Sequence, residues 1–283
     1  MASTTWTQVF NSNFTANDSD VDRTVWESPQ WSPSNNPSFI GRTTLRNRAD
    51  FRGSVGLVPV NAAGQAELRL STWNPLSAAG TPVFLGAQIS TKDTWGNGTE
   101  SVKFEAKVKC PVMPKGAVCS LFAYKLLDQS DNHRDEIDFE FSSKHWGDTP
   151  PAVNTNLYVD SRGGGVADEV KSSPGIDYTD FNTFTLIWNP STSVEWLING
   201  TSIRTDTNPA HVPTHPMHLV LNFWAPSSAW GWAYDSGLAP HAPSLNGSIP
   251  PPPQYPLLAA DAHPGQTWTY LVEQVSVSTG TSS

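Results

Sequence analysis

The sequence is short of charge, of thiols and of long apolar runs. Asp, Glu, Lys and Arg make up 15% of its 283 residues, well below the roughly 25% of ordinary globular chains. Basic residues are the scarcer kind: 17 Lys and Arg stand against 26 Asp and Glu, for a formal charge of −9. A phosphate binder needs a basic face, so nucleic acid is excluded as a partner. No apolar run approaches the ~18 residues of a membrane span, so no membrane partner is expected. No charged-then-apolar leader opens the chain; secretion would require one removed before Met1. Cys110 and Cys119 are the two cysteines, too few for a thiolate-held metal. They flank a Pro- and Gly-containing loop between two predicted strands, and a disulfide stapling that loop is expected. His211, His215 and His218 have a spacing that would suit a metal-binding helix, but Pro213 and Pro216 lie inside it and forbid that helix. No metal site is read from these residues. A Gly-x-Ser-x-Gly elbow is missing, which removes the commonest serine-hydrolase signature. Gly163-Gly164-Gly165 is followed by no Lys-Ser/Thr and no helix, so it is a turn and not a phosphate loop.

Helical periodicity is missing too. What is present is a cadence of short alternating runs separated by turns: Trp6–Phe14, Ala66–Ser71, Val83–Ser90, Val102–Lys109, Val118–Leu126, Asp135–Phe141, Asn154–Val159, Phe184–Trp188, Val194–Ile198, Met217–Phe223 and Trp268–Val277. Asn189-Pro190 and Asn199-Gly200 are turn dipeptides. Many short strands with no repeat predict an all-β sandwich or barrel, read as a single domain over 1–283. Asn17–Pro37 is a long polar loop whose Trp26 and Trp31 fit a core edge better than a cleft. Pro250–Pro253 reads as a stiff surface loop. Asn-x-Ser/Thr sequons at Asn13, Asn17, Asn97, Asn199 and Asn246 are compatible with a glycosylated, secreted protein, although so Ser/Thr-rich a chain produces several by chance.

The stretch Asp135-Glu136-Ile137-Asp138-Phe139-Glu140-Phe141 alternates without a break. On a strand, Glu136, Asp138 and Glu140 share one face and Ile137, Phe139 and Phe141 the other. As a helix it would stack Glu136 on Glu140 and scatter the apolar residues. One face therefore packs into a core while the other presents a row of carboxylates. Like charges that close raise at least one pKa. Acid/base and nucleophilic chemistry is the plain use of such a row; a solvated acidic strand is the alternative.

This stretch resembles the signature of glycoside hydrolase family 16. The resemblance extends in order through Gly86–Lys92 with Gly96, Lys103–Lys109, Gly116–Tyr124, Val153–Asp160, Phe184–Gly200 and Leu221–Trp224, covering about Gly86 to Trp232. It implies a jelly-roll β-sandwich with a concave substrate cleft. It further implies Glu136 as nucleophile, Asp138 as assisting carboxylate and Glu140 as acid/base of a retaining glycosidase. Glu136 and Glu140 are about 13 Å apart along a straight strand, a gap that long side chains leaning inward on a concave strand largely close. Phe122, Tyr124, Asn156, Tyr158, Asn222 and Trp224 match cleft positions of the family, with Trp224 as the expected stacking platform and Trp232 in a loop that extends the cleft. Gln88 and Arg134 stand where licheninase-like members have a sugar-holding Glu and a Trp. Ser142-Ser143 replaces the Leu-Gly that usually follows the motif. The uninterrupted Glu-x-Asp-x-Glu form is that of the licheninase and xyloglucan-active branches.

The expectation is therefore a secreted, monomeric, endo-acting β-1,3/1,4-glucan hydrolase. A transglycosylase or xyloglucan-active enzyme and a non-catalytic lectin-like protein are the alternatives. The reaction needs no cofactor. Relatives carry a structural Ca²⁺ on the convex face, which the resemblance allows here without naming ligands.

Overall fold

A computed structural model describes residues 4–28, 42–45, 58–72, 74, 83–96, 99–112, 115–128, 133–146, 148, 151–161, 164–173, 175–240 and 266–282. Trp31, Gly163, the sequons at Asn97 and Asn246 and the tract Pro250–Pro253 lie outside the described residues. The alternating runs are strands: β1 (Thr4–Ser12), β2 (Trp26–Glu27), β3 (Thr43–Leu45), β4 (Ala66–Ser71), β5 (Phe84–Thr91), β6 (Ser101–Lys109), β7 (Val118–Asp128), β8 (His133–Ser142), β9 (Ala152–Ser161), β10 (Glu169–Ser172), β11 (Asn182–Asn189), β12 (Ser193–Ile198), β13 (Thr201–Asp206), β14 (His218–Trp224) and β15 (Thr267–Ser282). A one-turn 3₁₀ segment, Ser143–His145, follows β8.

The strands form one hydrogen-bonded path, β10-β9-β8-β7-β14-β5-β4-β15-β6-β11-β12-β13, with β1 added on β15. The path folds over at β5. The first half of β5 pairs with β3 and touches β4 at Leu85–Ser71, while Ala87–Ser90 pairs with β14. One strand thus passes from the back layer to the front. The layers stack face to face, as expected for a sandwich. Between them lie Ile137, Phe139 and Phe141 of β8, with Leu121, Leu221 and Phe223 from its neighbours, against Phe104, Phe184, Trp188, Trp196 and Tyr270 of the back layer. Phe184 meets Phe139 edge-on at 5.5 Å and Phe141 at 4.6 Å. Trp196 Nε1 donates to the Asp138 carbonyl at 2.9 Å, pinning β8 to the back layer.

This packing fixes the register of β8. Each buried Ile or Phe contributes on the order of 2 kcal/mol, and a one-residue slip would drive all three carboxylates into the core. The all-β jelly-roll sandwich expected from the sequence is the observed architecture. The expected strands are present, most of them a residue or two longer. The sequence did not announce β10 and β13, whose residues are largely exposed. At such edge positions backbone pairing, not apolar alternation, makes the strand. Trp26 is a core residue, buried against Phe10 and Phe14, with its Nε1 on Ser12 Oγ.

The two cysteines differ from expectation. Both lie inside the core and not at the mouth of a loop, and both are free thiols, so the expected disulfide is not formed here. Burial pushes the Cys119 thiol pKa well up, and a hydrogen bond with Cys110 adds to the rise. A buried neutral thiol behaves as a small apolar side chain.

Candidate active site

Antiparallel pairing converts the alternation of β8 into rows that cross the concave face. Glu136 stands between Tyr124 and Tyr158, Asp138 between Phe122 and Asn156, and Glu140 between Ser120 and Asn154. The rows continue onto β14, where His218 lies beside Tyr124, Val220 beside Phe122 and Asn222 beside Ser120. Gln88 lies beside Asn222 and accepts a hydrogen bond from its Nδ2 at 3.3 Å. A groove of about 190 Å³ opens along this face, lined by Gln88, Ser90, Phe122, Tyr124, His218 and Val220. The carboxylates, the paired aromatics and the amides predicted on β7, β8, β9 and β14 are thus together on one surface.

The three carboxyl groups have different surroundings. Asp138 and Glu140 are almost fully buried, and Glu136 is somewhat more open. Burial raises the Glu136 pKa, while the charge and hydrogen bond of Arg134, then a hydrogen bond from Asp138, pull it back. Arg134 Nε donates to Glu136 Oε2 at 2.6 Å. Burial, then the charges of Glu136 and Glu140, push the Asp138 pKa well up. The rise favours the protonated form of Asp138, which shares a hydrogen bond with Glu136. Burial, then the charge of Glu136, raises Glu140 to about 8, against a weaker opposing hydrogen bond from Asn154. Asn154 Nδ2 donates to Glu140 Oε2 at 3.1 Å. The environment thus separates the two glutamates: Arg134 and Asp138 favour the ionised form of Glu136, while Glu140, with no cation in contact, is held in the acid form to about 8. Tyr124 and Tyr158 stay neutral, because burial and then the charge of Glu136 raise both phenols.

Loops complete the site. Asp135, on the core side of β8, is fully buried and accepts from the backbone N–H groups of Asp160, Thr214 and His215 and from His215 Nδ1. It anchors the turns at both ends of the Glu136 row. Gly165 lies over Asn156, and a Cβ there would meet the Asn156 Oδ1 at 2.1 Å and push that amide aside. Arg204 of β13, its guanidinium over the Trp196 ring, donates to the carbonyls of Thr155 and Ala167. It thereby holds the segment carrying Asp168, whose charge adds to the rise at Glu140. Asn154 and Asp168 escaped the sequence reading. Asn154 was recoverable, since it sits two residues before Asn156 and shares its face. Asp168 carried no signal, because it arrives through a loop.

Trp224 is placed differently from expectation. It is 1% exposed, in a small cluster with Leu45, Val118 and Ala233, and Trp230 stacks flat on it at 5.7 Å. Its ring is covered by Trp230 instead of presenting a face, with Nε1 3.5 Å from Ser120 Oγ. Trp232 packs on Trp230 and stacks on His145 at 4.5 Å. Arg42 holds this loop through the carbonyls of Pro226 and Leu238, and Lys144 through that of Gly231. Arg134 lies over the Tyr158 ring at 3.9 Å. Among the described residues no group of three or more His, Cys, Asp or Glu is arranged to hold a metal ion, and no helix is long and apolar enough to cross a membrane.

Comparison with known proteins agrees with this geometry. Xyloglucan endotransglucosylase/hydrolase protein 2 of Arabidopsis thaliana is 30% identical over 54% of this chain and 49% of its own length. A putative xyloglucan endotransglucosylase/hydrolase protein 1 of the same plant is 29% identical over 75% of this chain and 71% of its own. A beta-glucanase of Acetivibrio thermocellus is 25% identical over 76% of this chain and 55% of its own. The chain thus spans about half to seven-tenths of the length of these relatives. Among solved structures, the Bacillus licheniformis beta-glucanase superposes with a TM-score of 0.64 at 20% identity, covering 95% of this chain and 96% of that one. The endo-1,3-beta-glucanase of Streptomyces sioyaensis gives 0.65 at 13% identity, covering 97% and 96%; at such identities the likeness is one of fold. The model of glycosyl hydrolases family 16 matches residues 48–239, more than half of the sequence, and the chain belongs to that family.

Proposed function

We propose that the protein is an extracellular, endo-acting retaining β-glucan hydrolase that cleaves β-1,3/1,4-glucan by double displacement. Glu136 is the nucleophile, Asp138 its hydrogen-bonding assistant and Glu140 the acid/base. The observation that carries this reading is the difference in surroundings along one strand, with Glu136 paired to Arg134 and Asp138 while Glu140 is raised to about 8. In the first step Glu140 gives its proton to the glycosidic oxygen as the Glu136 carboxylate attacks the anomeric carbon; the leaving sugar departs and an ester forms. Esterification removes the Glu136 charge, the second cause of the rise at Glu140, so the Glu140 pKa falls. Glu140 then takes a proton from water as that water attacks the same carbon, the ester bond to Glu136 breaks and the carboxylate is restored, and the β configuration is kept.

NMR of the first product released from lichenan should show the β anomer before mutarotation. Initial release of the α anomer would mean inversion and would remove Glu136 as nucleophile. A second reading has its own support: relatives near 30% identity are named xyloglucan endotransglucosylase/hydrolases, and Gln88 stands where licheninase-like members have Glu. In that reading a sugar hydroxyl replaces water in the second step. Reducing-sugar release from lichenan, laminarin and xyloglucan, set against transfer of the cleaved chain to a labelled xyloglucan oligosaccharide, separates the two.

A further inference from the structure

Arg134 lies two residues before Glu136 on the concave side of β8, a position where a sugar contact is expected. The structure turns it elsewhere. Nε donates to Glu136 Oε2 at 2.6 Å. The guanidinium lies over the Tyr158 ring at 3.9 Å, and Tyr158 is the β9 partner of Glu136. The residue is almost fully buried, so its cation is wedged between one ring and one carboxylate. A bulge makes this possible. The β8–β9 register shifts between Arg134 and Glu136, so that Arg134 faces Ser161 while Glu136 faces Tyr158. Bulges commonly re-aim a side chain beside an active site.

We propose that Arg134 is a positioning residue that holds the Glu136 carboxylate ionised and aimed at the anomeric carbon, and that it does not itself bind the glucan. This rests on the nucleophile role of Glu136 given above. The groups facing Glu136 show why a cation is needed. Asp138 and Glu140 stand on its own strand, Tyr124 comes from β7, Tyr158 from β9, and His218 extends the row from β14. Asp138 helps only through a hydrogen bond, neutral phenols do little for the charge, and burial removes water that would otherwise stabilise it. Arg134 is the cation in direct contact. Burial alone would lower the Arg134 pKa, but the charge and hydrogen bond of Glu136, with the charges of Tyr158 and Asp138, together more than offset that, so the guanidinium keeps its proton at any working pH. The planar fork matters as well. It stacks on Tyr158 while pointing an N–H edge-on at the carboxylate, which a Lys ammonium does not reproduce.

The test uses the full chain with Arg134→Gln and Arg134→Lys. Carboxyl carbons are titrated by NMR in protein labelled with ¹³C-glutamate, and the Glu136 signal is assigned by its loss in Glu136→Gln. The Glu136 midpoint should rise by about one pH unit or more in Arg134→Gln, and by less in Arg134→Lys. In the kinetic arm, a nucleophile with a raised pKa is lost at higher pH, so the acid limb of the kcat/KM profile on lichenan should move up with it. One unit lowers kcat on that limb by roughly tenfold, with KM nearly unchanged. An unmoved Glu136 midpoint overturns the proposal, whatever the melting temperature does. So does a raised KM with an unmoved limb, the mark of a sugar contact. If Arg134→Gln fails to fold, Arg134→Lys decides on the same criteria. If the wild type cleaves no glucan, the functional reading falls while the titration still decides the role of Arg134.

Discussion

Replacing Glu140 with Gln should abolish hydrolysis and make the protein more stable at neutral pH. Glu140 keeps its proton in the folded state up to about 8, against 4.5 for the free side chain. Between those two values the unfolded chain binds fewer protons than the folded one, so stability falls as pH rises. The loss begins near the unfolded value and is complete above the folded one. At pH 7 the span traversed is roughly 2.5 units, and at ~1.36 kcal/mol per unit the folded protein has lost about 3 kcal/mol relative to pH 4. Glu140 is 8% exposed, so solvent screens little of this. Gln does not titrate and still accepts from Asn154 Nδ2. The variant should therefore match the wild type near pH 4 and melt higher at pH 7, by roughly 6 °C at ~2 °C per kcal/mol for a chain of this size. The assay is thermal unfolding of both proteins from pH 4 to 9, with reducing-sugar release from lichenan alongside. A difference in melting temperature that does not change with pH would refute the raised pKa. Retained hydrolysis would refute the acid role. The same logic sets the activity profile of the wild type: a bell whose acid limb belongs mainly to Glu136, above the ordinary carboxylate value, and whose alkaline limb lies near 8. The carboxyls titrate as a set, so both limbs are properties of the set.

Two further outcomes are expected. Trp224→Ala should cost ~3–5 kcal/mol of stability, as for other buried aromatic deletions, and lower the melting temperature sharply; a variant that melts like the wild type and merely binds glucan less would return Trp224 to the cleft surface. Mass spectrometry of protein unfolded and alkylated without reductant should show Cys110 and Cys119 as two free thiols, as they are in the core. A Cys110–Cys119 disulfide in that protein would refute the buried free-thiol reading.

The alternation from Asp135 to Phe141 contained most of the candidate site. Side-chain parity on a strand is a local property, so the carboxylate face and the core face of β8 were both legible, as were Phe122 with Tyr124, Asn156 with Tyr158, and the core role of Trp26. Local pattern does not say which strands become neighbours. That Glu140 lies beside Asn154 and Glu136 beside Tyr158 follows from antiparallel register, which the buried Ile and Phe residues enforce across two sheets. Trp224 shows the limit. Parity placed it on the cleft side of β14, yet the strand ends there and the loop bearing Trp230 closes over it, held by Arg42 and Lys144 from distant parts of the chain. The cysteines show the same limit, since loop length suggested a surface staple and layer packing put both sulfurs inside. The sequence alone determined the strand class, the row of carboxylates and the family, because these depend on residues a few positions apart. Only the tertiary structure decided the protonation of that row. A pKa depends on burial and on charges within a few ångströms, and those charges, Arg134 across a bulge and Asp168 at the end of a loop, are brought there by folding.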